Sequence, residues 1–172
     1  KEIKEAVKVA RNNGGRDIVL LKCASSYPSN PEDMNLVTIL DMKRLFKCDV
    51  GLSDHTLGIC AAIAAFSLGA TVIEKHFTLS RKIKTPDSFF SLEPNEFKQL
   101  VDNIRTVTKA LGKVRYGATR DEKKNMVFRR SLFAVEDIKK GEYFTERNIR
   151  SIRPGYGLTP KYIKTILGKK SK

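Results

Sequence analysis

The chain has no tryptophan, only two histidines and three methionines, and three cysteines in 172 residues. The cysteines, Cys23, Cys48 and Cys60, are odd in number and widely spaced, with no CxxC pair. That argues against a structural zinc site, a thioredoxin-type redox motif or a disulfide framework, and a reducing, cytoplasmic setting is expected. No basic-then-apolar leader ending in small residues is visible, so no secretory signal is expected. The sequence opens at Lys1 rather than Met, directly in helical periodicity, and reads as part of a longer polypeptide. Low-complexity tracts and internal repeats are absent, and 41% hydrophobic with 30% charged residues fits a folded globular protein.

Long hydrophobic runs are also scarce. The one uncharged stretch, Thr56 to Ile73, covers 18 residues and approaches the length of a membrane span. It is rich in alanine, interrupted by Gly69 and β-branched at Thr71-Val72-Ile73. It therefore reads as a helix followed by a buried strand, and no membrane association is expected.

Acidic residues are in deficit in the second part of the chain. Of a net charge of +14, residues 1–112 hold 16 Lys+Arg against 13 Asp+Glu, whereas residues 113–172 hold 17 against 6. The basic segment lacks the interleaved aromatics of single-strand binders and any zinc-finger or RNA-recognition signature, so nucleic acid is not the expected partner. An anionic small substrate or an acidic protein surface suits it. A basic carbohydrate- or nucleic-acid-binding module is the non-enzymatic alternative, recognised by salt-steep affinity for unrelated DNA.

What is present is a rhythm of helix and strand. Apolar spacing predicts helices over Glu2–Asn12, Pro31–Phe46, within Thr56–Thr71 and over Asn95–Leu111, and strands over Ile18–Tyr27, up to His55 and up to His76. Crossovers of this length make the strands parallel, and near-continuous apolar strands are covered on both faces. An α/β fold follows, either doubly wound or the later part of a (β/α)8 TIM barrel. Polar clusters at the strand ends favour the barrel. Residues 1–112 are read as an incomplete barrel, 113–130 as a linker, and 131–172 as a small module. That module has strands near Leu132–Val135 and Ile149–Ile152 and a helix from Thr159 to Leu167. Three strands cannot close a barrel of about 250 residues, so the remaining strands are expected from sequence not present here.

The two histidines occupy matched places. Each closes a strand-like run, Val50 to His55 and Val72 to His76, with an acidic residue just ahead. Alternation along a strand puts Ser25 with Tyr27, Ser53 with His55, and Glu74 with His76 on shared faces. Such a pair fits one divalent ion, with water and substrate oxygens completing its shell, or hydrogen-bonded structural histidines. Tyr27 equally fits a rim aromatic, Glu74 a buried ion-pair partner near Lys75, Asp87 a turn cap and Arg153 an ordinary loop cation.

Five ordered motifs closely resemble the sialic acid synthase family. They are Lys22 to Pro28, Gly51 to Thr56, Ile73 to Thr78, Pro86-Asp87-Ser88 with Ser91 to Pro94, and Arg153-Pro154-Gly155. The resemblance covers the later part of that family's TIM barrel and most of its antifreeze-like SAF domain. It implies an enzyme that condenses phosphoenolpyruvate with an N-acylated amino sugar to a nine-carbon ulosonic acid. It further implies that His55 and His76 bind a divalent metal, Mn²⁺ or Mg²⁺, that polarises the sugar aldehyde. Ser53 would contact phosphoenolpyruvate, Glu74 would position water at the reacting carbon, and Asp87 would hold a sugar hydroxyl. Ser25 and Tyr27 would line the pocket, although Ser25 stands where sialic acid enzymes commonly have Asn. Arg153 would reach the active site of the other subunit in a domain-swapped homodimer. Pro86-Asp87-Ser88 with Phe89-Phe90, in place of Pro-Asp-His, resembles the pseudaminic acid branch more than the neuraminic and legionaminic ones.

Overall fold

Alternating crossovers bring three strands side by side in chain order. The computed structural model describes all residues 1–172 and divides into two units, Lys1–Lys113 and Val114–Lys172. In the first, α1 (Glu2–Asn12) leads to β1 (Val19–Cys23), α2 (Thr38–Phe46), β2 (Asp49–Asp54), α3 (Cys60–Ser67), β3 (Ile73–Lys75) and α4 (Pro94–Leu111). The strands form one parallel sheet in the order β1-β2-β3. Its register aligns Cys23 with Ser53, Ser53 with Glu74, and Asp54 with Lys75.

Alternation then divides the chemistry between two faces. Val50, Leu52 and Asp54 turn to the helix side and are 0% exposed. There Val50 and Leu52 pack with Met34, Ile39, Met42, Ala65 and Ala70. Ser53 and, one residue beyond the strand, His55 take the other face. A second cluster of Ala62, Leu92 and Leu100 joins α3 to α4. Pro94 starts α4, and Glu93 and Glu96 form a reciprocal capping box at its N-terminus.

Asn35 breaks the helix predicted over Pro31–Phe46. That residue has φ +43°, separating a single 3-10 turn at Pro31–Asp33 from α2. Asn tolerates the left-handed region, and the break drops Met34, 1% exposed, into the core. The uncharged run from Thr56 yields only the eight residues of α3, and no helix is long and apolar enough to cross a membrane.

The second unit contains α5 (Arg120–Lys124), β4 (Ser131–Ala134), β5 (Ile149–Ile152) and α6 (Ile163–Ile166). β4 and β5 pair antiparallel, Ser131 facing Ile152. Residues 113–130, read above as a linker, carry α5 and a 3-10 turn at Asn125–Phe128. Thr119 and Glu122 form a capping box at the start of α5. The helix expected from Thr159 to Leu167 is a 3-10 turn followed by α6, and the Thr159 side chain makes no capping bond. Its four α-helical residues are too few to sustain a helix by local bonds alone.

Candidate active site

The C-terminal ends of the three parallel strands gather most of the residues singled out in the sequence. Direct opposition of Ser53 and Glu74 lets the Ser53 hydroxyl donate to Glu74 Oε2 at 2.6 Å. One residue past β2 and β3, the rings of His55 and His76 stand 5.1 Å apart at a steep angle of 74°. Tyr27 lies against His55 with centroids 4.2 Å apart and 6.0 Å from His76. Phe90, 2% exposed, backs His76 at 4.8 Å.

Each imidazole has its Nδ1 side engaged. His55, 3% exposed, has Nδ1 3.0 Å from the carbonyl oxygen of Ala24. A carbonyl only accepts, so Nδ1 carries the proton and Nε2 is the free donor atom toward a metal. The Cys23 thiol also lies 3.8 Å from that Nδ1 and from the Ser25 hydroxyl. His76 Nδ1 is 3.7 Å from Asp87 Oδ2.

This donor set fits a divalent ion held by two nitrogens. Two imidazoles sharing one ion at a metal–nitrogen distance of about 2.1 Å have centroids roughly 5 Å apart. No group of three or more His, Cys, Asp or Glu side chains converges, so oxygen atoms from water or substrate would supply the remaining positions. That composition suits an open Lewis-acid site for an ion such as Mn²⁺ better than a closed structural zinc site.

The loops that carry Tyr27 and Asp87 are fastened. Ser29, 4% exposed, donates its hydroxyl hydrogen toward Ala24 O and Ser26 O, each at 2.8 Å, and its N–H donates to His55 O at 3.0 Å. The Ser91 hydroxyl donates to Asp87 O at 2.7 Å, and Leu92 N donates to His76 O at 2.9 Å. Arg81 grips both oxygens of Glu96, at 2.6 and 2.7 Å, and donates to Ser91 O. The Arg81 hydrogen bond holds the Glu96 carboxyl below the usual glutamate range, and the same bond raises Arg81 above its ordinary value.

Two residues beside the histidines escaped the sequence reading. Lys75 pairs with Asp54 at 3.0 Å, with both side chains buried, whereas Glu74 takes Ser53 instead of an ion-pair partner. The available signal was an acid and a base at the same offset, each immediately preceding one histidine. Arg153 belongs to the second unit, is exposed and makes no ion pair. It follows β5 in a loop whose Pro154 carbonyl accepts from the buried Ser131 hydroxyl at 2.6 Å.

Comparison with known proteins gives residues 1–116 as a match to the NeuB family. The chain belongs to that family. Residues 129–172 match the SAF domain. This NeuB-family chain is 46% identical to pseudaminic acid synthase of Campylobacter jejuni, over 99% of its own length and 50% of the relative's. It is 45% identical to N,N'-diacetyllegionaminic acid synthase of the same organism, over 98% and 51%. Among solved structures, it is similar to the spore coat polysaccharide biosynthesis protein SpsE of Bacillus subtilis, with a TM-score of 0.60 and 32% identity over 98% of this chain and 53% of the other. The chain thus spans about half the length of the relatives it matches. Its three parallel strands, connected through helices, give an α/β arrangement in the NeuB-matching part.

Proposed function

We propose that the protein carrying this chain condenses phosphoenolpyruvate with an N-acylated amino sugar, releasing phosphate and forming a nine-carbon ulosonic acid. One observation carries the reading: Ser53 bonded to Glu74, with His55 and His76 one step further along the same strand ends. An enzyme of this class joins the methylene carbon of phosphoenolpyruvate to the sugar aldehyde, adds water at the adjacent carbon and breaks its bond to the phosphate oxygen. Glu74 is oriented by Ser53 to hold and deprotonate that water. Ser53 itself contacts phosphoenolpyruvate, while Ser25 and Tyr27 line the pocket and Asp87 takes a sugar hydroxyl. His55 and His76 would hold a divalent metal, which supplies Lewis-acid polarisation of the aldehyde.

The sugar is read as a 6-deoxy-diacetamido-altrose, making the product pseudaminic acid. Phe90 is buried against His76, and Phe89, 57% exposed, meets it edge-on at 5.2 Å. That apolar wall suits a methyl where another sugar carries a hydroxyl, and the 46% identity to a pseudaminic acid synthase supports the choice. The 45% identity to a legionaminic acid synthase makes that sugar the second reading. Arg153 is assigned to the active site of a partner subunit in a domain-swapped homodimer. The three unpaired cysteines suit a cytoplasmic setting.

Phosphate release by the full-length protein, measured with the diacetamido altrose and with N-acetylmannosamine, each with and without Mn²⁺, tests the reading. The expected outcome is metal-dependent release with the altrose at least tenfold faster. Preference for N-acetylmannosamine would transfer the assignment to a neuraminic acid synthase, and no release with any amino sugar would sink it.

A further inference from the structure

The β2–β3 ladder ends at the pair Asp54 and Lys75, one residue short of the two histidines. Both side chains are withdrawn from water, at 0% and 1% exposure, on the face opposite Ser53 and Glu74. Burying two charges is costly, and apolar residues of similar volume hold a sheet together at least as well. Sheet stability alone therefore leaves the pair unexplained.

Its bonds show where it acts. Lys75 Nζ donates to Asp54 Oδ2 at 3.0 Å, to Thr56 O at 2.6 Å and, at 3.4 Å, to Asp54 O. Asp54 Oδ1 accepts from Thr56 N at 2.9 Å and from the Thr56 hydroxyl at 2.8 Å. Every contact lands on residue 54 or 56, the two that flank His55, while Lys75 is joined directly to His76. No buried polar side-chain atom is left unsatisfied, so the network is fully paired.

From this geometry we propose that Asp54 and Lys75 are positioning residues for the metal pair: they set the spacing and orientation of His55 and His76 from behind the sheet. The inference rests on the reading above that these histidines hold a divalent ion. The tie is the last side-chain link between β2 and β3 before the imidazoles. Without it, the backbone ladder still pairs the strands, but no side-chain bond ties residues 54 and 75 immediately before the two histidines.

The full-length protein contains every residue concerned and serves for the test. Asp54→Asn/Lys75→Met keeps an acceptor for the Thr56 groups but cuts the tie between strands. Asp54→Leu/Lys75→Met replaces it should the first variant not fold. Met42→Ala, which trims the core at α2, provides a control for general destabilisation. Mn²⁺ affinity is read from the loss of the free-ion electron paramagnetic resonance signal, and the protonation of His55 from nitrogen NMR of its ring. The tie variant is expected to unfold cooperatively yet bind Mn²⁺ about tenfold more weakly or worse, with the single Nδ1-protonated form of His55 replaced by a mixture. Met42→Ala is expected to change neither. Wild-type affinity in the tie variant, or equal loss in Met42→Ala, overturns the proposal. Failure of the wild-type chain to bind Mn²⁺ overturns the metal reading instead, and an unchanged His55 tautomer in the tie variant then overturns the positioning role as well.

Discussion

Arg81 and Glu96 fix the loop that brings Asp87 to His76, and their ion pair has a definite pH signature. Hydrogen bonding from Arg81 depresses the folded-state value of Glu96. A depressed carboxylate contributes stability above its unfolded value, about 4.3, and loses it as pH falls through the lower folded value. Glu96→Gln should therefore lower the unfolding midpoint by no more than a few degrees at pH 7, since the pair is partly exposed. The gap should close on acidification below the ordinary glutamate range; a difference that persists there would show a packing effect instead. At this scale part of the site was legible, because period-two alternation puts Ser53 with His55 and Glu74 with His76, whereas joining the two pairs on one face takes the register. The Asp54–Lys75 pair was not, since seeing it requires the register that sets residue 54 against residue 75. Phe90 stands in the Pro86–Phe90 motif, but its place against His76 depends on how residues 79–91 return to put Leu92 beside Phe77.

Among the elements, β2 is held to its neighbours by a glycine. A Cβ on Gly51 would stand 2.3 Å from Val72 O and 2.6 Å from Leu21 Cδ2. Gly51→Ala must push β3 or β1 aside, and an overpacking cost of about 2 kcal/mol is expected from chemical denaturation, with weakened metal binding in the same variant. Unchanged stability would mean the strands shift freely, contradicting the close approach. Strands and long helices were legible because hydrophobic spacing dictates them: α1 and β5 fall where periodicity puts them. The breaks were harder. Asn35 interrupts an otherwise continuous pattern for the sake of burying Met34, a tertiary choice that local propensity does not encode. For α5 the local signal existed, in Thr119 and Glu122 at capping-box spacing, but high charge and the lack of apolar periodicity hid it.

For the molecule as a whole, a three-stranded sheet with β1 and β3 each paired on one side leaves two open edges. The 172-residue chain alone is expected to release no phosphate from phosphoenolpyruvate and to self-associate, seen by light scattering. Measurable turnover would refute the first expectation. In the full-length protein, mixing Arg153→Ala with His55→Ala subunits checks the exchange of SAF units. Each mixed dimer then keeps one intact site, and re-equilibrated mixtures should recover about a quarter of wild-type activity. No recovery would place Arg153 in its own subunit's site. The strand row of this half was readable because parallel crossovers leave long, regular signatures; the role proposed for Arg153 is carried only by its motif. The buried tie between β2 and β3 also bears on heat. The hydration free energy of ions becomes less favourable on warming, so the cost of hiding Asp54 and Lys75 shrinks while apolar stabilisation levels off. The tie behind the two imidazoles is accordingly expected to weaken less on warming than the apolar packing around it.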